Sequence, residues 1–302
     1  MVMNKTECFK IRIEILDDPL KIGYGRELKK INCSKEFCVT EPTAIVADPF
    51  LFVQGDTLFL FYEEKKMYHD GVISMIKTTD LENWTAPVVV LKEKCHLSYP
   101  WIFEDSGHTY MIPETSGLKS IRVYEGNNNL SEFHYVKTIL KDDEERGGFS
   151  FSDTLIYKYN DTYYLITTVN DGKKNILRLF ESKKIFEGYS EHPCSPIYNN
   201  NKYGRNAGLI FTYNKKIYRV AQDCMNRYGD NVHMLEIYRI TPDAFEEKSF
   251  REYIIPTQER FYREGGHQFN CVRFKNKYIV ATDAKEYHYY IFPKILHKLG
   301  SF

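Results

Sequence analysis

The sequence predicts an all-β fold, a five-bladed β-propeller, on three observations: one two-run unit recurs five times, its spacing is nearly constant, and period-two alternation replaces helical periodicity. Each unit is a short apolar run, a polar turn and a second aromatic-rich run ending in a polar residue. The copies read ADPFLFVQGDTLFLFYEE, SYPWIFEDSGHTYMIPE, FSDTLIYKYNDTYYLITT, NAGLIFTYNKKIYRVAQD and FNCVRFKNKYIVATD. Their leading positions, Asp48, Tyr99, Asp153, Ala207 and Asn270, lie 51, 54, 54 and 63 residues apart.

Within each copy the turn carries Gly, Asn or Asp (QGD, DSG, YND, YNK, KNK), which suits a tight antiparallel hairpin. The expected hairpins fall near 47–64, 98–114, 151–168, 206–223 and 268–283 of one domain spanning 1–302. Further β-type runs follow them: GVISMIKT and PVVVL, SIRVYEG and HYVKTIL, NILRLFES and SPIY, VHMLEIYRI and REYIIP. Three or four strands per unit, five times over, describe a ring of blades around a channel. FKIRIEIL, residues 9–16, is a spare β-run able to complete the last blade. TPDAFEE at 241–247 reads as a short helical turn, and KDDEERGG at 141–148 as a solvated loop whose glycines let it move over the funnel. A two-sheet sandwich is the alternative, but it does not account for the spacing.

Composition narrows the function. Forty-one basic and 41 acidic residues give a formal net charge of zero over 302 residues, with no long basic block, which argues against a nucleic-acid partner. The 24 Tyr and 20 Phe serve sheet packing and can also stack on flat ligands such as sugar rings. Seven scattered cysteines show no zinc spacing and read as reduced, mostly buried thiols. The first 18 residues hold no apolar signal segment and no later run is long enough to span a membrane, so the expected location is cytoplasmic.

Hairpin geometry then nominates a site. The first residue of strand one and the last of strand two are neighbours at the end opposite the turn, so each blade offers two polar positions there. These are Asp48 with Glu63, Tyr99 with Glu114, Asp153 with Thr168, Ala207 with Gln222 beside Asp223, and Asn270 with Asp283. Converging on one funnel, Asp48, Glu114 and Asp153 are the leading catalytic candidates. Paired carboxylates can serve as acid and base, or acid and nucleophile, on a sugar, provided burial raises one of their pKa values. Around blade four, Arg205, Asn206, Arg219, Gln222, Asp223 and Tyr228 suit a phosphorylated sugar or nucleotide sugar, or alternatively an Arg–Asp pair that locks neighbouring blades. No P-loop, dinucleotide fingerprint or serine-hydrolase elbow is present.

The series ADPFLF, HLSYPWIFEDSGHTYMIPE, FSDTLIY, RNAGLIF and YRVAQDCMNRYGDNV resembles the amino-terminal propeller domain of glucosamine inositolphosphorylceramide transferases and bacterial stand-alone relatives, over residues 40–285. More distantly, the five-bladed plan with an early Asp-Pro resembles the arabinanase, levansucrase and invertase superfamily. That resemblance implies that Asp48 acts as base or nucleophile. It also implies that His267 in GGHQFN faces the channel and organises a water or a divalent ion; no protein metal ligand follows from the residues alone. The expected function is a sugar-binding funnel in a glycosyltransferase-type enzyme of glycoconjugate or surface-polysaccharide assembly. The alternatives are a glycoside hydrolase with paired carboxylates and a non-catalytic glycan-binding module.

Overall fold

A computed structural model describes residues 3–34, 42–142 and 150–291. Five antiparallel sheets form the five blades. Blade one is β3 (Thr43–Gln54), β4 (Thr57–Lys66), β5 (Val72–Thr78) and β6 (Val88–Leu91). Blade two is β7 (Ser98–Asp105), β8 (His108–Glu114), β9 (Ser120–Gly126) and β10 (Phe133–Lys141). Blade three is β11 (Phe151–Tyr159), β12 (Thr162–Asn170) and β13 (Asn175–Ser182), edged by the short β14 (Ser190–Glu191) and β15 (Tyr198–Asn199). Blade four is β16 (Phe211–Tyr213), β17 (Lys216–Asp223), β18 (Asn231–Thr241) and β19 (Ala244–Arg251). Blade five joins β20 (Phe269–Phe274) and β21 (Lys277–Ile291) to β1 (Met3–Leu16) and β2 (Arg26–Ile31).

The ring closes through its termini: β1 pairs with β21 from Met3↔Ile291 to Leu16↔Tyr278, so the expected 9–16 strand extends further towards the amino terminus. All five inner hairpins turn over two residues, as in Gln54↔Thr57 and Phe274↔Lys277. Left-handed residues make these turns possible, including Gly55, Gly107, Asn160, Asn214 and Asn276. Alternating side chains of adjacent blades meet in apolar layers, with Phe50, Phe61, Tyr99 and Met111 among the buried members.

Three expectations need correction. TPDAFEE forms no helical turn: Thr241 pairs with Ala244 across Pro242–Asp243, and Phe245 enters the core as β19 begins. REYIIP consequently forms no strand beyond Arg251, because β19 has already filled the outer edge. In blade four the first strand is short, since residues 206–208 keep only an Asn206↔Ala221 bridge before Gly208 turns to φ +146°. Of the loop expected at 141–148, only Lys141 and Asp142 lie within the described residues.

Candidate functional site

The innermost strands of blades one to three share a device that repetition alone only hints at. Register shifts between Ala47 and Phe50, Ser98 and Trp101, and Ser152 and Leu155 mark a two-residue bulge in each. The first bulge residue is left-handed in all three: Asp48 at φ 50°, Tyr99 at 46° and Asp153 at 49°. Such non-glycine conformations cost about 1–3 kcal/mol each and persist where the surroundings enforce them. Pro49 and Pro100 follow two of them, at positions whose N–H a bulge would leave unpaired. The bulges carry the leading residues off the ladder and towards the axis.

Asp48 is 4 % exposed and is held from three sides. Its Oδ2 accepts the Tyr99 N–H at 3.0 Å, its Oδ1 lies 3.2 Å from His267 Nε2, and its own N–H reaches Asp283 Oδ2 at 3.3 Å. His267 is sandwiched in turn, with Nδ1 at 2.7 Å from Asp283 Oδ2. Asp283 also accepts the N–H groups of His267 and Gln268 at 2.8 and 3.0 Å, which fixes the Gly-rich loop on β21. Aromatic rings wall the imidazole: Phe9 at 4.7 Å and Tyr228 at 5.2 Å between centroids.

These residues open on a cavity of about 160 Å³ lined by Asp48, Glu63, Glu114, Arg205, Tyr228 and His267. Glu63 lies beside Asp48 because Ala47 pairs with Glu63 across the ladder. His96 accepts the Gly71 N–H on Nδ1 at 2.9 Å, so a neutral ring carries its proton on Nε2, 3.3 Å from Glu63 Oε1. Glu114 is tethered by the Ser116 hydroxyl at 2.8 Å. Asp153 stands one step behind the cavity: its Oδ2 accepts Arg205 Nε at 2.6 Å, and the guanidinium lies over the Tyr228 ring at 5.0 Å. Larger depressions, of about 540 and 580 Å³, lie over the outer strands of blade five, away from this buried group.

The electrostatics divide the carboxyl groups. Burial opposes charge on Asp48, yet the contacts with His267, the Tyr99 N–H and Arg205 overcome it and hold its carboxyl below the ordinary range. Burial pushes Glu63 well up, and the Asp48 charge adds to the shift. Burial pushes Asp153 up to about 7, with Glu114 and Asp48 adding and Arg205 opposing. Burial works against the His267 cation too, but Asp283 and Asp48 outweigh it and raise the imidazole well above 6.5. The cavity therefore favours the charged forms of Asp48 and His267 and disfavours charge on Glu63.

Other nominated residues have different surroundings. Tyr99 crosses the channel from blade two to blade four, where its hydroxyl donates to Gly208 O at 2.8 Å and accepts the Gly208 N–H at 3.1 Å. Burial keeps that phenol protonated. Asn270 Oδ1 accepts the Leu51 N–H at 3.2 Å and sutures blade five to blade one. Asn206 donates to Asp153 O at 2.8 Å and joins blade four to blade three. Gln222 donates to Asn206 O at 3.0 Å, and Asp223 pairs with His233 at 3.1 Å. Arg219 is buried against Glu247 with bonds of 2.6–3.1 Å. None of Asn206, Arg219, Gln222 and Asp223 lines the cavity. The reading by sequence missed Phe9, Lys65 and His96, which do. Lys65 follows the end of its repeat copy and His96 opens HLSYP, so both had a positional signal; Phe9 arrives through ring closure and had none.

Asp48, His267 and Asp283 bring three metal-type donor atoms within 4.8 Å of one another. A metal would need a lone pair on one ring nitrogen of His267, and both nitrogens face carboxylates at ion-pair distance. Asp48 Oδ1 and His267 Nδ1 are buried without a hydrogen-bond partner among the described residues, so the trio has donor atoms for a shared proton and, with one ring nitrogen deprotonated, for a divalent ion.

The fold and this cavity define a five-bladed β-propeller with a buried cluster of carboxylates, histidine and arginine drawn from several blades. By sequence the chain belongs to the family described as glucosamine inositolphosphorylceramide transferase 1, N-terminal, matched over residues 29–283. It is 32% identical over 240 residues to glucosamine inositolphosphorylceramide transferase 1 of Arabidopsis thaliana, covering 77% of this chain and 30% of that protein. The counterpart in Oryza sativa subsp. japonica is 32% identical over 214 residues, 68% of this chain and 28% of its own length. The chain thus spans under a third of the curated relatives it matches. Among solved structures, the α-L-arabinofuranosidase of Podospora anserina in complex with cellotriose superposes with a TM-score of 0.61 at 11% identity, covering 80% of this chain and 91% of that one. The Clostridium thermocellum α-L-arabinofuranosidase gives 0.56 at 15% identity, covering 78% and 80%.

Proposed function

We propose that the funnel binds one sugar unit bearing an anionic group and that the chain serves glycosyl transfer in glycoconjugate or surface-polysaccharide assembly, with the cytoplasm as its compartment. The observation that carries this reading is the convergence of Asp48, Glu63, Glu114 and Arg205 on one small cavity. At about 160 Å³ it falls below the ~300 Å³ typical of drug-sized sites, which suits a single polar ring. Arg205 spends its Nε on Asp153, and its two terminal nitrogens make no protein hydrogen bond among the described residues, so a phosphate or carboxylate can take them. Asp48, ionised and clamped, can accept a proton from an attacking hydroxyl. Glu63, whose proton is retained above the ordinary carboxyl range by burial and the Asp48 charge, can give one to a departing oxygen. The transferase name of the curated relatives supports the same direction.

Hydrolysis of a glycoside is the second reading, favoured by that same Asp48/Glu63 contrast and by the enzymes that share the fold. One experiment separates them. The chain is challenged with nucleotide sugars, sugar phosphates and chromogenic glycosides, following thermal stabilisation and product release. Transfer calls for stabilisation by an activated sugar, lost in Arg205→Ala, with no cleavage of the glycosides. Cleavage that stops in Asp48→Asn would establish hydrolysis. Glycan affinity with no turnover in any assay would reduce the chain to a binding module.

A further inference from the structure

A second cluster of ligating side chains sits where the amino-terminal segment meets the carboxy-terminal strand. Cys8 lies on β1, Cys33 follows β2, and Glu286 and His288 lie on β21. The donor atoms of Cys8, Cys33 and His288 all fall within 4.8 Å of one another. Cys33 Sγ is 3.1 Å from Glu286 Oε1 and 3.9 Å from His288 Nε2, and these last two atoms are 2.9 Å apart. A tetrahedral ion with bonds of about 2.0–2.3 Å sets neighbouring ligand atoms about 3.3–3.8 Å apart, so Cys8, Cys33 and His288 approach three corners of such a site, with Glu286 beside Cys33 and His288. Both cysteines are at most 3 % exposed.

The outer contacts orient these groups as metal ligands are oriented. His288 Nδ1 faces Ser34 O at 3.1 Å, and a carbonyl can only accept, so Nδ1 carries a proton and Nε2 is the atom turned to the cluster. Lys10 Nζ holds Glu286 Oε2 at 2.6 Å and leaves Oε1 facing Cys33 and His288. Nε2 lies 2.9 Å from a carboxylate oxygen, a contact satisfied by a proton on Nε2 or by a metal ion between the two atoms. A depression lined by Lys10, Asn32 and Glu286 offers an entry path.

We infer that Cys8, Cys33 and His288, with neighbouring Glu286 moving in as the fourth donor, form a structural site for a zinc-class divalent ion that fastens the closing blade of the ring. Two thiolates, one imidazole and one carboxylate match the preferred donors of Zn²⁺ in a closed tetrahedron. Binding releases the two thiol protons to solvent; the ion's two positive charges offset both thiolates, and Lys10 balances the remaining carboxylate.

The full chain, purified under reducing conditions with zinc present and then desalted, should hold one zinc ion by elemental mass spectrometry. Exchange with Co²⁺ should produce thiolate-to-metal charge-transfer absorption and the visible bands of a tetrahedral ion. Cys33→Ser should lower zinc content below about a tenth, whereas Cys271→Ser, at a buried cysteine outside the cluster, should keep it. His288→Gln should shift the cobalt bands even if the cysteine variant fails to fold. Wild-type protein without stoichiometric zinc or cobalt bands would overturn the assignment. So would a Cys8–Cys33 disulfide in the unreduced protein, or metal retained in Cys33→Ser and lost in His267→Gln.

Discussion

Blades one and four place polar residues at corresponding hairpin ends and use them in opposite ways. In blade one the left-handed bulge at Asp48–Pro49 turns a carboxylate into the cavity, where the adjoining Glu63 stands beside it. In blade four the corresponding stretch holds Ala207 and Gly208, so no charged side chain stands there. Gly208 comes against Phe269 O, leaving no room for a Cβ, and receives the Tyr99 hydroxyl. The polar residues of β17 turn instead into the blade, as Arg219–Glu247 and Asp223–His233. Polarity at a strand end is therefore no guide to function by itself; the backbone conformation that aims it decides.

Substitutions can break or sharpen this contrast. The largest stability effect is expected at Arg219, whose pair with Glu247 is 0 % and 1 % exposed: Arg219→Met strands a buried charge and should cost about 3–5 kcal/mol in urea denaturation. Ligand affinity of the surviving folded fraction should stay unchanged. Arg205→Ala should do the reverse, abolishing stabilisation by an anionic sugar at a smaller cost in stability. Asp48→Asn should lower turnover by about 10²–10⁴-fold, the usual contribution of a positioned proton acceptor, with substrate affinity largely kept. Equal losses of affinity for both arginine variants would erase the distinction between the blades.

The pH dependence tests the electrostatic half of the comparison. A raised His267 pKa means the folded state holds that proton more tightly than the unfolded chain, where it titrates near 6.5. Its stabilisation is complete below about pH 6.5 and disappears as pH rises through the raised value. Asp48, depressed, stabilises above its unfolded pKa of about 3.9 and ceases to as pH falls through its folded value. Glu63 is raised, so its contribution falls as pH climbs past about 4.3. Glu63→Gln should therefore gain stability relative to the parent protein between pH 4 and pH 8, read from melting curves. A constant offset between the two across that range would mean that Glu63 titrates normally. The smallest effect is expected from Tyr99→Phe, about 1–3 kcal/mol for the buried Gly208 groups left without their hydroxyl partner.

Much of the architecture was legible because its signals are local. Alternation in TLFLFYE, the two-residue turns and the spare strand at 9–16 each follow from a few adjacent residues. TPDAFEE misled because an isolated Pro-Asp pair begins a helix or a hairpin equally well, and Phe245 settled the matter only by finding the core. Repeat equivalence located Asp48, Tyr99 and Asp153, though it could not show that all three are left-handed. Long-range pairings were hidden altogether: Arg219 meets Glu247 from 28 residues away, and His288 meets Cys33 across 255. No spacing rule reaches that far, since ring closure creates those contacts.

The most direct test is a crystal structure of the protein with a nucleotide sugar or sugar phosphate that stabilises it. The expected density is a single sugar ring between Asp48, Glu63 and Glu114, with its anionic group on the terminal nitrogens of Arg205. Ligand bound over the outer strands, with the funnel empty, would contradict the account.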